Sequence, residues 1–237
     1  MGRKVVTIDG LAGSGKTTLA RMLAERLGWI HFNSGLLYRT VGLLTLQQKV
    51  NSEDAAAVAA MVAKHSFALK TAPDPNGGFL GAVFLDGQQV TVPLNTPEIS
   101  EATSKCSQHE KVRAQLIQVQ REAFPENSLV AEGRDMGTVI FPNADLKFFV
   151  NATPEVRVSR RIKQLYGDSA HLQDAEREKV KQEMLREIIE RDRRDSDRTV
   201  APTKAASDAV LISNDERGIE AVLLEMLQKV QELPSKR

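Results

Sequence analysis

The sequence predicts an α/β fold: a parallel sheet with helices on both faces, a small antiparallel strand insertion and a helical lid. Three observations predict it. An apolar strand runs straight into a glycine-rich loop and an amphipathic helix near the N-terminus; strands and helices then alternate; and one internal stretch reads as short strands joined by turns.

Lys4–Ile8 is the first expected strand, because Val5-Val6-Thr7-Ile8 is β-branched and apolar. Gly10-Leu11-Ala12-Gly13-Ser14-Gly15-Lys16-Thr17 follows and fits the G-x-x-x-x-G-K-[ST] pattern. Glycines let backbone N–H groups turn toward a polyphosphate, and helix N-terminal amides add favourable partial charge. Lys16 can reach β- and γ-phosphates, and Thr17 can ligate Mg²⁺. This context, strand then loop then helix, makes the predicted sheet that of a P-loop NTPase binding a nucleoside triphosphate.

The first helix is expected over Ser14–Leu27, with Leu19, Met22, Leu23 and Leu27 on one face. Trp29–Phe32 is a short apolar strand. Leu36–Gln47 is a helix with Ser34 as its N-cap. Leu129–Ala131 and Leu146–Val150 are buried strands, and Pro154 opens a helix at a favoured early position. Ala209–Ile212 is a last strand and Gly218–Val230 a last helix, before a polar tail over Glu232–Arg237 expected to fray. The insertion runs from about Ser66 to Val92: Phe67–Lys70, the turn-rich Pro73–Gly78, Phe79–Leu85, Asp86-Gly87 and Gln88–Val92. Asp-Gly between such runs signals a hairpin. It is either a stabilising appendage or part of the site. The whole is read as one domain, with core 1–62 and 105–237, an insertion at about 63–104 and a lid at about 154–200.

The chain has 237 residues, 32 basic and 31 acidic, for a net charge of +1. That balance gives no reason to expect nucleic-acid binding, so positive sites must be local. The single cysteine, Cys106, excludes an intramolecular disulfide and is expected to be a small packed side chain. His31, His65, His109 and His171 show no metal-site spacing and are expected at the surface or in packing. No stretch reaches membrane-spanning length and no signal-peptide core precedes the first strand, so a cytoplasmic location without membrane partners is expected; a monomer is the expected state, which the sequence itself does not set.

Sites on open parallel sheets gather beyond the C-terminal strand ends, and three clusters fall there. In Asn33–Arg39, a fixed Arg39 can bind a second phosphate. In Glu132-Gly133-Arg134-Asp135-Met136-Gly137-Thr138, Glu132 or Asp135 can orient Mg²⁺-bound water and Arg134 can hold an anion. In Glu190–Arg198, the apolar stripe of Met184, Leu185 and Ile188 continues into Arg191, Arg194, Asp195 and Arg198, which extend the buried side. Asp192, Arg193, Ser196 and Asp197 fall on other faces and are expected to be solvated. Arg157, Arg160 and Arg161, on the helix opened by Pro154, add a second arginine-bearing helix, and the Tyr166–Asp174 connection completes a candidate lid. No Asn-Lys-x-Asp run of a guanine-specific GTPase and no Leu-Ser-Gly-Gly-Gln-like run of a transport ATPase occurs.

These motifs together resemble the bacterial cytidylate kinases in their long form, over nearly the whole chain. The resemblance rests on I-D-G-x-x-G-S-G-K-T at Ile8–Thr17, S-G-x-x-Y-R at Ser34–Arg39, E-G-R-D-M-G-T at Glu132–Thr138 and E-R-D-x-R-D-x-D-R at Glu190–Arg198. It implies ATP-dependent phosphorylation of CMP or dCMP with Mg²⁺, the metal on Thr17. It implies that Gly10, Leu11, Ala12, Gly13, Ser14, Gly15, Lys16, Thr17 and Thr18 hold the ATP phosphates. Ser34, Arg39, Ser104, Arg113, Arg134, Asp135, Arg191, Asp195 and Arg198 would bind the acceptor, with Asp195 near the sugar. Lys16, Arg160, Arg161 and Arg194 would act on the transferring phosphate. The position before Gly133 is often Asp in the family and is Glu here, which keeps the charge and changes the reach. The rival readings are a kinase of the same fold acting on UMP, AMP or shikimate, and a P-loop ATPase or regulatory module indifferent to CMP.

Overall fold

The computed structural model describes residues 2–75, 77–91, 94, 96–167, 174–215 and 217–234. The expectations for Val92, His171, the middle of the Tyr166–Asp174 connection and the last three residues lie outside them. Along the chain run β1 (Val5–Gly10), α1 (Lys16–Leu27), β2 (Ile30–Asn33), α2 (Ser34–Gln47), α3 (Ala55–Val62), β3 (Phe67–Pro73), β4 (Phe79–Leu85) and β5 (Gln88–Gln89). They continue with α4 (Pro97–Cys106), α5 (Glu110–Arg121), β6 (Leu129–Gly133), β7 (Leu146–Asn151), α6 (Pro154–Tyr166), α7 (Asp174–Asp197), β8 (Val210–Ser213) and α8 (Ile219–Gln231).

The strands form one sheet in the order β3-β4-β2-β6-β1-β7-β8, with β5 against β4. From β4 to β8 neighbouring strands are parallel. Strand periodicity divides the core. Val6, Ile8, Val130, Phe148 and Val150 face α1 and α8, where Leu19, Leu23, Val222 and Met226 cover them. Leu129 and Ala131 point the other way, into a cluster with Ile30, Phe32, Phe124 and Ile140. A third cluster joins α2, α3, α4 and α5 over Val83 of β4, through Leu37, Val41, Val58, Cys106, Val112 and Leu116. Cys106 is buried there, as expected of a packed side chain, and burial pushes its thiol up to about 11.

The insertion is antiparallel as expected: β3 pairs with β4, and β4 with β5 across the Asp86-Gly87 turn. β4 also pairs in parallel with β2 at Ile30–Phe79 and His31–Leu80, so the insertion extends the main sheet, which a reading of turn residues alone does not reveal. One local expectation is corrected: Ser34 is not the cap of α2. Asn33 Oδ1 accepts from Gly35 N at 2.9 Å, and Ser34 is the first helical residue. Both residues suit a cap; the hydroxyl of Ser34 is taken instead by the Glu132 carbonyl, to which it donates at 2.9 Å.

α6 and α7, the expected lid, have their own small core. Val158 packs on Met184 and Ile188, with Ile162 and Leu185 beside them. Their attachment to the rest of the molecule at the cleft is polar. Among the described residues no helix is long and apolar enough to cross a membrane.

Candidate active site

The C-terminal ends of β1, β2, β6 and β8 open into one cleft of about 800 Å³, where the strand order of a doubly wound sheet places ligands. The loop between β1 and α1 forms its floor. Gly15 carries a φ of 87° and a Cβ there would stand 2.4 Å from Asn214 Nδ2, so only glycine fits. Asn214 Nδ2 in turn donates to Ser14 O at 2.7 Å, tying the end of β8 to the loop. Lys16 is buried and donates to Leu11 O at 3.2 Å. Burial, then the neighbouring Arg134, pulls its ammonium down to about 7, against the opposing pull of Glu132.

Glu132, at the end of β6, is held on both oxygens. Thr17 Oγ1 donates to Oε2 at 2.7 Å and His31 Nε2 lies 3.0 Å from Oε1. Burial opposes its charge, but the hydrogen bond and charge of His31, with Lys16 and Thr17, hold it below the ordinary carboxylate range. An ionised carboxylate only accepts, so the contact requires the proton on His31 Nε2.

The turn after β6 carries the second cluster. Its backbone bonds run to the fifth residue back, Ile140 N to Asp135 O (3.2 Å) and Phe141 N to Met136 O (2.6 Å), a widened turn that recurs at functional sites. Asp9 pins it: its carboxylate oxygens accept from Met136 N and Gly137 N, both at 2.8 Å. Burial pushes the Asp9 carboxyl up to about 6, although these two N–H groups pull the other way. Arg134 reaches back to Gly10 O (3.0 Å) and across to Asp195 Oδ2 (2.9 Å) on α7. Asp135 forms a buried ion pair with Arg113 of α5, whose guanidinium also stands over the Tyr38 ring.

The α7 stripe turns inward as its spacing requires. Arg191, Asp195 and Arg198 line the cleft; Arg193, Ser196 and Asp197 are exposed. Burial opposes ionisation of Asp195, but Arg134, Arg191 and Arg198 keep its carboxyl below the usual range. Burial and then Arg134 pull Arg191 down to about 10, and burial and then Arg161 do the same to Arg39.

Of the residues singled out from the sequence, Ala12, Gly13, Gly15, Lys16, Thr17 and Thr18 line the cleft, with Gly10, Leu11 and Ser14 behind them in the same loop. Ser34, Arg39, Ser104, Arg113, Arg134, Asp135, Arg160, Arg161, Arg191, Asp195 and Arg198 line it too. Arg39 donates to Leu94 O (2.7 Å) and Ser100 Oγ (3.0 Å), and Ser104 keeps a buried hydroxyl with no hydrogen-bond partner. Arg160 donates to Asn214 O at 2.7 Å. Arg194 stands elsewhere: it forks onto both oxygens of Glu101, each at 3.2 Å, and is not in the cleft lining. Asp192 is not solvated as expected. It pairs with Arg157, which is therefore buried behind the loop rather than free on the lid. Sequence reasoning also missed His31, Asp9 and Asn214. Charge or amide at the C-terminal end of an apolar strand was the available signal for Asp9 and Asn214.

A family comparison matches this whole frame. The model of the family described as cytidylate kinase matches residues 6–232. The chain belongs to the cytidylate kinase family. It is 39% identical to the cytidylate kinase of Pasteurella multocida, covering 96% of this chain and 95% of that one. It is 37% identical to the cytidylate kinase of Thermotoga maritima, covering 96% of each. Among solved structures, that of an uncharacterized protein from Eubacterium ventriosum covers 97% of this chain and 99% of its own, with a TM-score of 0.50 at 10% identity. That likeness is one of fold alone. The matched range takes in all four segments that build the cleft.

Lys16 gives this site a pH signature. Polyphosphate bound against a buried ammonium raises its pKa, so if Lys16 faces the nucleotide's phosphates, binding takes up a proton wherever free Lys16 is mostly neutral. With the free group at about 7, affinity is highest below that pH and falls as pH rises through it. Calorimetric titration with ATP at about pH 8, in two buffers of different ionisation enthalpy, is expected to show uptake approaching one proton. Identical heats in the two buffers contradict this.

Proposed function

We propose that the protein transfers the γ-phosphoryl group of ATP to the 5′-phosphate of CMP or dCMP, giving ADP and CDP or dCDP. The observation that carries this is the charge of the cleft. Ten lysines and arginines line it against three carboxylates, Glu132, Asp135 and Asp195. Such an excess of cations in one cleft is costly unless anions fill it, and two phosphorylated substrates facing each other supply them. The donor half is the loop at Gly10–Thr18. The acceptor half is Ser34, Arg39, Arg134, Arg191 and Arg198. Ser104, Arg113 and Asp135 offer a hydroxyl, a guanidinium and a carboxylate for a base edge, and a carboxylate suits the exocyclic amine of cytosine.

The reaction needs no side-chain nucleophile, because the acceptor phosphate oxygen attacks and ADP leaves. The chain supplies alignment and charge. Lys16 follows the transferring group, Arg160 and Arg161 approach it from α6, and the lid excludes water. Arg194 joins them only if its fork on Glu101 opens.

The residues present fit Mg²⁺. Thr17 gives its proton to Glu132, which leaves the lone pairs of its hydroxyl for a cation, and Glu132 stays ionised nearby; hard oxygen donors suit this ion. When bound, Mg²⁺ neutralises charge on the β- and γ-phosphates.

Arg191→Ala tests the division into halves. The Nε of Arg191 is buried without a hydrogen-bond partner, and Asp195 keeps Arg134 and Arg198 when Arg191 is removed. KM for CMP is expected to rise by about 10–100-fold, the loss of a charge-assisted contact of about 1.5–3 kcal/mol, with KM for ATP little changed. Equal weakening of both substrates places Arg191 elsewhere.

A further inference from the structure

One buried guanidinium touches both halves of the cleft from behind. Arg157, on the first turn of α6, is 2% exposed. Its Nη1 donates to Ala12 O in the donor loop at 3.0 Å and to Asp192 Oδ1 on α7 at 3.0 Å; its Nη2 donates to Asp192 Oδ2 at 2.5 Å. The loop lies directly on it: a Cβ at Gly13 would stand 3.1 Å from Arg157 Cβ. Arg157 is absent from the cleft lining, and its guanidinium is turned to Ala12 O and Asp192 instead.

We infer that Arg157 is a positioning residue that couples donor binding to acceptor binding, by fixing the donor loop to α7 through Asp192. The inference rests on the two-substrate reading above. Asp192 sits beside Arg191 on α7 and one turn before Asp195, so any shift of the helix that moves Asp192 moves the acceptor contacts with it. Ala12 lies four residues before Lys16, on the peptide whose amides face the polyphosphate. A planar guanidinium satisfies a carboxylate fork and a carbonyl together in one arrangement only. The lid's apolar cluster is internal to α6 and α7, which leaves polar ties of this kind to set its place against the loop. Arg134 also bridges the two halves, through Gly10 O and Asp195. It lines the cleft, however, and ligand can recruit it; Arg157 acts only through protein. Binding linkage is reciprocal, so ATP tightens CMP by the factor with which CMP tightens ATP.

The test uses the full chain with Mg²⁺ and an ATP analogue whose β,γ bridge cannot transfer. Affinity for the analogue is measured by calorimetry with and without saturating CMP. In the parent, CMP is expected to tighten the analogue by at least about fivefold. In Arg157→Lys, which keeps the charge and loses the fork, this factor is expected to fall to within about twofold of unity. Affinity for each ligand alone should change less than about threefold, because no ligand contact is removed. Asp192→Asn, which leaves an acceptor oxygen, is expected to do the same, and the double variant to add nothing further. Melting curves establish that each variant is folded, and Asp192→Asn carries the test by itself if Arg157→Lys does not fold. A parent without coupling, or a folded variant that keeps the parent's factor, overturns the inference. Turnover of CMP by the parent separates the two levels. If CMP is not phosphorylated, the functional reading fails; if it is and the variants stay coupled, only the role of Arg157 fails.

Discussion

Replacing Lys16 with alanine is expected to lower kcat by about 10²–10³-fold, roughly 3–4 kcal/mol of transition-state stabilisation, in a protein that stays folded. The two halves of this expectation have different causes. In the ligand-free cleft Lys16 stands buried beside Arg134 and Arg191, and its ammonium is pulled down to about 7. A cation so placed contributes little to stability, and within the protein it donates only one hydrogen bond among the described residues, to Leu11 O at 3.2 Å. Its charge becomes favourable when phosphoryl oxygens face it, most of all while negative charge is being redistributed between donor and acceptor. The measurement is kcat beside the melting temperature, each with and without nucleotide. An unchanged kcat in folded Lys16→Ala removes the role assigned to it.

Arg113→Leu is expected to act on the fold itself, by about 3–5 kcal/mol. Arg113 is 1% exposed and pairs with Asp135, which is nearly as buried. Its guanidinium also donates to Ser107 O at 3.2 Å and covers the Tyr38 ring at 5.2 Å. Leucine fills much of the volume but leaves the carboxylate of Asp135 buried without its cation, and that penalty exceeds any gain in apolar packing. Urea unfolding monitors it, with the double variant Arg113→Leu/Asp135→Asn expected to recover part of the loss. A midpoint for Arg113→Leu within about 1 kcal/mol of the parent would mean that the pair is solvated in solution.

Much of this architecture could be read from the chain because local signals and tertiary structure agree there. The loop of Gly10–Thr17 announces its backbone conformation, and the inward stripe of α7 follows from spacing by three and four. The signals failed where two residues compete for one task or where partners are far apart in sequence. Asn33 and Ser34 are both good caps, and the distant Glu132 carbonyl decides between them. Asp192 lies on a face that spacing assigns to solvent, yet α6 packs over it and delivers Arg157 from 35 residues away. Arg194 sits on the inward stripe, yet Glu101 of α4, 93 residues earlier, holds it. His31 reads as an ordinary strand residue until Glu132, 101 residues on, lies beside it. The pairing of β4 with β2 is likewise non-local, and no turn signal encodes it.

The central claim is that the acceptor is a cytidine monophosphate. The direct test is a panel of acceptors, CMP, dCMP, UMP, AMP and shikimate, each supplied with ATP and Mg²⁺ and followed by coupled release of ADP. The account predicts the highest kcat/KM for CMP or dCMP, with CDP or dCDP as product and little ADP formed when no acceptor is present. Faster turnover of AMP or shikimate, or ATP hydrolysis that CMP leaves unchanged, contradicts it.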